Sequence, residues 1–340
     1  MNIPDSIFTG YHGKCHIQGI AVDAEKGFIY YSFTTKLIKS TLSGEIVGSV
    51  DGLTGHLGCI TFNKEDGRVY GSLEYKNDSV GRGILKNLGE EKQRADAFYA
   101  VAFDVDRIDR PDMDAFSDGI MTAVYLRDVV DDYNGTGENG APHRYGCSGI
   151  DGTACGPLPG ETDGKNRLFI AYGIYGDTER TDNDEQVILC YDFDELKKYE
   201  RPLSENDMHQ SGPEKPLHRF FVYTGNTKYG IQNLEYDAFT NTYLAAVYRG
   251  AKKQFPNYDL FAIDAAVPPV RCVTADFPDG CERLTLSALG ELDEATGLRG
   301  FYFPYGSTGL YSFGNGTYYI SEPQSDEKGQ CSYIKKYVFG

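Results

Sequence analysis

The chain has 340 residues, 40% of them hydrophobic and 13% aromatic, with 26 Tyr and 19 Phe against no Trp. That is enough apolar material for a substantial core. Its 33 basic and 50 acidic residues leave a net charge of −17, which repels polyanions and argues against nucleic acid as a partner. No run is long and apolar enough to span a membrane, so no membrane partner is expected, and MNIPDSIFTGYHGK lacks the basic start and apolar stretch of a signal peptide. That reads as a cytoplasmic protein, or a secreted one whose leader has been removed.

The predicted elements come as a repeat. A short apolar run ends in an acidic or amide residue, passes through a Gly- or Asn-containing turn, and resumes as an aromatic-rich strand. Copies begin at His16 (HIQGIAVDAEKGFIYYSF), His56 (HLGCITFNKEDGRVYGSL), Tyr145 (YGCSGIDG), Gly230 (GIQNLEYDAFTNTYLAAV) and Ser287 (SALGELDEATGLRGFYF). Paired strands recurring every roughly 40 to 90 residues are what propeller blades leave in sequence, so the predicted fold is all-β, a five-bladed β-propeller in one domain over 1–340.

Blade one is expected over 10–52, with strands near 16–22, 28–33, 36–42 and 45–50. Blade two, 53–127, carries an excursion from Lys76 to Ala97 whose ILKNLGEEKQRADAF part has helical character, a short helical insertion fit to serve as a lid. The stretch 128–142 is polar and Gly-rich and reads as surface loop. Blade three spans 143–225. Blade four, 226–276, takes YDLFAID and the region near Val270; blade five, 282–340, ends in LYSF, GTYYIS and SYIKKYVF, its last strand pairing with blade one to close the ring. Eight cysteines without a CxxC pair indicate neither a zinc knuckle nor a dithiol motif; they read as buried free thiols, with Cys272 and Cys281 as the pair placed to bridge.

Aligning the copies on the turn residue puts Asp23, Asn63, Asp237 and Asp293 in register. His16 and His56 then share a level, Gln18, Gly58, Ser148 and Gln232 lie two steps on, and Gly19, Cys59, Gly149 and Asn233 three. Five steps from His16 come Ala21, Thr61, Asp151, Glu235 and Glu291. Carboxylates on otherwise apolar strands are costly unless paired, hydrogen-bonded or metal-bound. Crowded acids suit general acid/base chemistry, which makes Glu235 and Asp151 the catalytic candidates with His16 and His56 assisting. The oxygens of Asp151, Asn233 and Glu235 also suit a hard cation, and calcium is the one ion the sequence offers a place for. The plain alternative is that each acid caps a turn or meets an Arg.

Strand starts and the loops after second strands converge on one end of a propeller axis. That collects His143, Arg144, Tyr145, Glu74, Lys76, Tyr175, Gln232, Asn233, Arg249 and Arg283 as substrate-binding candidates, with rim tyrosines as a platform for sugar rings. Asp177, Glu179, Asp182 and Asp184 lack the EF-hand spacing, and no P-loop, GxGxxG, GxSxG or HExxH is present.

In blade layout the chain resembles the five-bladed propellers, which include several glycoside hydrolase families, the calcium-activated apyrases, tachylectin-type lectins and plant-type glutaminyl cyclases. IQGIAVDAEKGFIYYS is similar to the opening blade of the glutaminyl cyclases, although the Glu they place just after the second strand's tyrosine is replaced here by the Tyr31-Ser32 region. The expected function is a carbohydrate-active enzyme, a glycan hydrolase or lyase working on a small-molecule or oligosaccharide ligand at one end of the axis. The alternative is a non-catalytic glycan- or protein-binding module.

Overall fold

The computed structural model describes residues 3–92, 95–274 and 277–339. Five short strands, Ile17–Asp23, His56–Asn63, Cys147–Pro157, Thr227–Asp237 and Leu310–Ser312, each abut the next and the last abuts the first, forming a ring around an axis. Each begins a sheet running outward, so the molecule is a five-bladed β-propeller.

Blade one runs Ile17–Asp23, Phe28–Phe33, Lys36–Thr41 and Ile46–Asp51, with Met113–Asp114 added in parallel at its edge. Blade two runs His56–Asn63, Arg68–Tyr75, Ala97–Phe103 and Met121–Tyr125. Blade three continues from Cys147–Pro157 through Asn166–Ile174, Glu185–Tyr191 and His218–Tyr223. Blade four holds Thr227–Asp237, Thr242–Arg249 and Leu260–Asp264.

The turn signal has a simple cause. Asp23 accepts hydrogen bonds from the Glu25 and Lys26 N–H groups, Asn63 from Glu65, and Asp237 from Phe239 and Thr240. The chain then passes through a left-handed residue at Gly27 (φ 75°), Gly67 (φ 71°) or Asn241 (φ 52°). An Asx turn followed by a residue tolerant of positive φ is a tight connection that sets the register of each inner pair. The tyrosine content is explained by packing between flat blades: Tyr30, Tyr31, Tyr99, Tyr172 and Tyr319 are all fully buried.

The outer parts differ from expectation in four ways. The copy at Ser287 does not open blade five. It forms a small ribbon, Glu291–Leu292 with Arg299–Gly300, bridged to blade four at Leu260–Phe301 and Ile263–Leu286, and Glu291 is exposed there rather than near the axis. Val270–Thr274 belongs not to blade four but to a hairpin with Phe277–Arg283, whose second strand pairs in parallel with His218–Tyr223 of blade three. Blade five consists of Leu310–Ser312, Thr317–Asp326 and Gly329–Val338, and the last strand pairs with the N-terminal Ser6–Phe8 instead of with blade one's own sheet. Finally, 128–142 is not all loop. Arg127–Asn134 is a helix whose Val129 and Tyr133, four apart on one face, turn inward.

The excursion from Lys76 is helical, but from Ser79 to Leu88, with Asp78 as N-cap accepting from the Gly81 N–H and Gly89 (φ 74°) ending it. No helix among the described residues is long and apolar enough to cross a membrane.

Candidate functional site

Each of the first four inner strands breaks register near its start. Pairing slips between Ile17 and Gly19, between Leu57 and Ile60, between Ile150 and Thr153, and between Ile231 and Asn233. A bulge re-aims the extra residue out of the ladder. The bulged positions are therefore Gln18, Gly58 with Cys59, Asp151 with Gly152, and Gln232. Asp151 shares its level with Gln18, Gly58 and Gln232, not with Glu235.

Those bulges floor an axial cleft of about 330 Å³ whose lining includes His16, Gln18, His56, Glu74, Lys76, Ser148, Asp151, Tyr229, Gln232 and Tyr248, a volume within the range of small-ligand sites. Val80 of helix Ser79–Leu88 also lines it, which places the helical insertion beside the cleft.

Charge in the cleft is organised around Glu74, which is buried. Its Oε1 lies 2.6 Å from Lys76 Nζ and 3.4 Å from His56 Nδ1, and its Oε2 accepts the Ile150 N–H at 2.9 Å. Lys76 also donates to the Ser148 carbonyl at 2.6 Å and stands 3.5 Å from Asp78. Gly149 makes this possible: at φ 133°, a side chain there would put its Cβ 2.0 Å from Glu74 Oε2. Burial alone would raise the Glu74 pKa, but Lys76 and His56 hold it below the ordinary carboxylate value. Burial works against the imidazolium of His56, and the adjacent carboxylates of Glu74 and Asp151 overcome it, so its pKa is raised, although Nδ1 at 3.4 Å from Glu74 makes no aligned hydrogen bond.

Asp151 is the contrasting group. It is 8% exposed, and its Oδ1 is fully buried without a hydrogen-bond partner. The carboxylate fits because residue 58 is glycine; a Cβ there would stand 2.4 Å from that Oδ1. Burial pushes its pKa up to about 7, opposed by His56 and reinforced by Glu74. A carboxyl poised near neutrality beside an imidazole whose pKa is raised is suited to moving a proton.

At the mouth, His16 accepts from Gln18 Nε2 at Nε2 (3.3 Å), and Gln18 Nε2 also donates to Thr34 Oγ1 (3.0 Å). Burial of the ring and the nearby His56 lower its pKa, so it is neutral and carries its proton on Nδ1. Gln232 is held by donating to the Tyr229 carbonyl at 2.8 Å.

Across Tyr229 the cleft adjoins a second groove of about 630 Å³, lined by His143, Tyr175, Arg180, Lys228 and Arg249 among others. Tyr229 (φ 67°) and His143 (φ 62°) both hold left-handed backbone, and so does nearby Tyr145 (φ 59°). Such strain in bulky residues collects at functional sites.

Of the residues expected to act, His16, His56, Asp151, Glu74, Lys76 and Gln232 meet in the cleft, while His143, Tyr175 and Arg249 line the groove. Arg249 is half-exposed and pairs with Asp259. Five do not join either. Glu235 is buried with Oε1 accepting the Ser312 N–H (2.9 Å) and does not line the cleft. Asn233 is a structural tie on the axis: its Nδ2 donates to the carbonyls of Gln18, Gln232 and Ser307, and its Oδ1 accepts from Cys59 Sγ. Arg144 pairs with Asp132, and Arg283 with Glu185 on the outer edge of blade three. Tyr145 packs edge-on against Phe221 and beneath Arg219. Calcium at Asp151, Asn233 and Glu235 finds no support: Asn233 Oδ1 and Glu235 Oε1 already accept hydrogen bonds, Glu235 and Asn233 lie outside the cleft that Asp151 lines, and among the described residues no cluster of three His, Cys, Asp or Glu has metal-holding geometry. Asp182 and Asp184 likewise serve Arg180 and Lys252. Tyr229 and Tyr248 also line the cleft; sequence reasoning places both at this end of the axis, Tyr229 at a strand start and Tyr248 in a loop after a second strand, and the left-handed backbone of Tyr229 is what it could not show.

No protein-family model and no curated protein matches the chain. Among solved structures it is similar to a functionally unknown protein from Desulfotomaculum acetoxidans DSM 771 (8% identity, TM-score 0.37, covering 95% of this chain and 70% of that one). It is also similar to U3-55K (10%, 0.34, 97% and 98%) and to the PQQ domain of pyranose dehydrogenase from Coprinopsis cinerea (12%, 0.36, 93% and 81%). None of the three carries a function across.

Proposed function

We propose that the axial cleft is the active site of a carbohydrate-active lyase, which removes a proton from an acidic, polyhydroxylated substrate. The observation that carries this is Asp151: a buried carboxyl with its pKa pushed up to about 7, lining the cleft beside His56, whose own pKa Glu74 and Asp151 raise. Glycoside hydrolysis needs two working carboxyl groups across one bond. Here Glu74 is engaged by Lys76, His56 and Ile150, and Glu235 lies outside the cleft, which leaves one.

One base next to fixed cations suits elimination. Asp151 takes the proton alpha to a substrate carboxylate, and His56 with Lys76 stabilises the negative charge that develops on that carboxylate; the carbon–carbon double bond forms as the β C–O bond to the neighbouring sugar breaks, and the departing oxygen takes a proton from water. His16, Gln18 and Gln232 supply donors and acceptors for hydroxyls, and the rings of Tyr229 and Tyr248 give flat walls for a sugar. Continuity with the groove past Tyr229 suits an oligomer over a single sugar.

The test is incubation with polygalacturonate, alginate and neutral oligosaccharides, following ultraviolet absorbance for unsaturated uronate and reducing ends for hydrolysis. The expected outcome is unsaturated product from an acidic polymer, cut at least ~100-fold in Asp151→Asn. New reducing ends without unsaturation would show a hydrolase instead. No product from any substrate, with saturable binding intact in Asp151→Asn, would show a binding module.

A further inference from the structure

We propose that Cys272 and Cys281 are a redox-active pair that closes a disulfide across the outer hairpin of blade three, a covalent site separate from the axial cleft. The two residues stand directly opposite each other in the pairing of Val270–Thr274 with Phe277–Arg283. Opposed residues of an antiparallel pair have Cα atoms about 4.5–5.5 Å apart, within the span a disulfide bridges. Their sulfurs are 3.0 Å apart. Cys59 and Cys147, by contrast, face backbone or amide oxygens.

Cys281 is buried and Cys272 partly exposed, so a soluble oxidant meets Cys272 first. With oxidised glutathione as that oxidant, the Cys272 thiolate attacks one glutathione sulfur and expels a glutathione thiolate, leaving a mixed disulfide. Cys281 then loses its proton and attacks Cys272 Sγ, expelling the second glutathione. In total two protein thiols give up two protons and two electrons, and the glutathione disulfide becomes two thiols. Burial, together with the hydrogen bond and charge of Cys272 beside it, pushes the Cys281 thiol up to about 12, which makes the second step the slow one.

The bond has a structural role at this place. The strand Phe277–Arg283 pairs with blade three at Phe220–Glu282 and Phe221–Arg283, with side-chain pairing of His218 to Glu282 and of Arg283 to Glu185. A two-stranded hairpin is marginal by itself. A cross-link fixes its register and holds the edge of blade three in place.

The full chain is equilibrated in glutathione buffers from reducing to oxidising, alkylated with iodoacetamide and digested with trypsin, which leaves both cysteines in the single peptide 272–283. At the oxidising end the expected peptide is unalkylated and lighter by two hydrogens; at the reducing end it is doubly alkylated. Cys281→Ser is expected to trap one glutathione on Cys272. Two alkylated thiols throughout, or a glutathione adduct on Cys272 in the native sequence with Cys281 still alkylatable, would overturn the proposal. Circular dichroism of the Cys272→Ser and Cys281→Ser proteins keeps a misfolded variant from mimicking either result.

Discussion

Asp151 and Glu235 are both carboxyl groups on inner strands, both nearly buried, and both displaced upward in pKa, to about 7 and about 8. Their surroundings separate them. Asp151 sits in a bulge that turns it toward the cleft, beside His56, with one oxygen left unpartnered. Glu235 lies past the bulged Gln232 of its own strand, in regular pairing opposite Leu244, and its Oε1 is capped by the Ser312 N–H. A raised pKa alone does not mark a working residue. The geometry that gives a carboxyl access to a ligand does, and here a slip of register supplies it.

The largest expected effect comes from removing the group that keeps the cleft charged. Glu74→Ala leaves Lys76 and His56 buried without their shared counter-charge, and chemical denaturation should show a loss of about 3–5 kcal/mol. A loss below about 1 kcal/mol would mean that solvent already reaches those charges, and the contrast with Glu235 would weaken.

A smaller effect separates the two acids by pH. Each keeps its proton in the folded chain at pH values where the unfolded chain has lost it. The stability this gives is present below the ordinary carboxylate pKa and is lost as pH rises toward about 7 for Asp151 and about 8 for Glu235. Glu235→Gln removes that loss. Relative to the native chain it should be near neutral at pH 4.5 and more stable at pH 8, by roughly 2–4 kcal/mol, since each tenfold change in proton affinity is worth about 1.4 kcal/mol. Activity should be unchanged. Equal stabilisation at both pH values, or lost turnover, would contradict the assignment of Glu235 as a structural acid.

How much of this was legible follows from the range of each signal. The Asx turns at Asp23, Asn63 and Asp237 are local, a carboxylate or amide meeting N–H groups two or three residues on, so they could be read directly and gave the inner hairpins of three blades. Asp293 makes the same local turn, accepting from Thr296, yet lies in the ribbon outside blade four. A turn does not say which sheet it joins. Likewise His56, Glu74 and Lys76 were found because they stand at the end of blade two's inner pair, where His56 is opposite Glu74 and the bulge between Leu57 and Ile60 leaves that end pairing intact. Counting residues failed for Asp151 and Glu235, which fall at one count but different depths, because bulges change depth without changing composition. Helix Arg127–Asn134 was hidden for another reason: its polar residues are used inside, Asp132 binding Arg144 and Tyr172.

The smallest predicted effect concerns Tyr229, the residue shared by the cleft and the groove. Its left-handed backbone costs a bulky residue on the order of 1–2 kcal/mol, and its ring is 41% exposed. Tyr229→Gly should therefore leave stability unchanged or raise it by up to about 1 kcal/mol in thermal melts, while weakening retention of an acidic oligomer on the protein. A clear loss of stability would mean that the ring is there to hold the fold.

The seating of Ser6–Phe8 beside Gly329–Val338 has a consequence for how the chain comes into being. Ile7 pairs with Ile334, so Ser6–Phe8 leaves the ribosome long before the strand it pairs with. Until then four blades stand as an open arc with exposed edges at both ends, and long-range closure of this kind is slow. The interval between synthesis and closure is when this protein is most exposed to aggregation and proteolysis, and moving Ser6–Phe8 to follow Val338 through a short linker should shorten it.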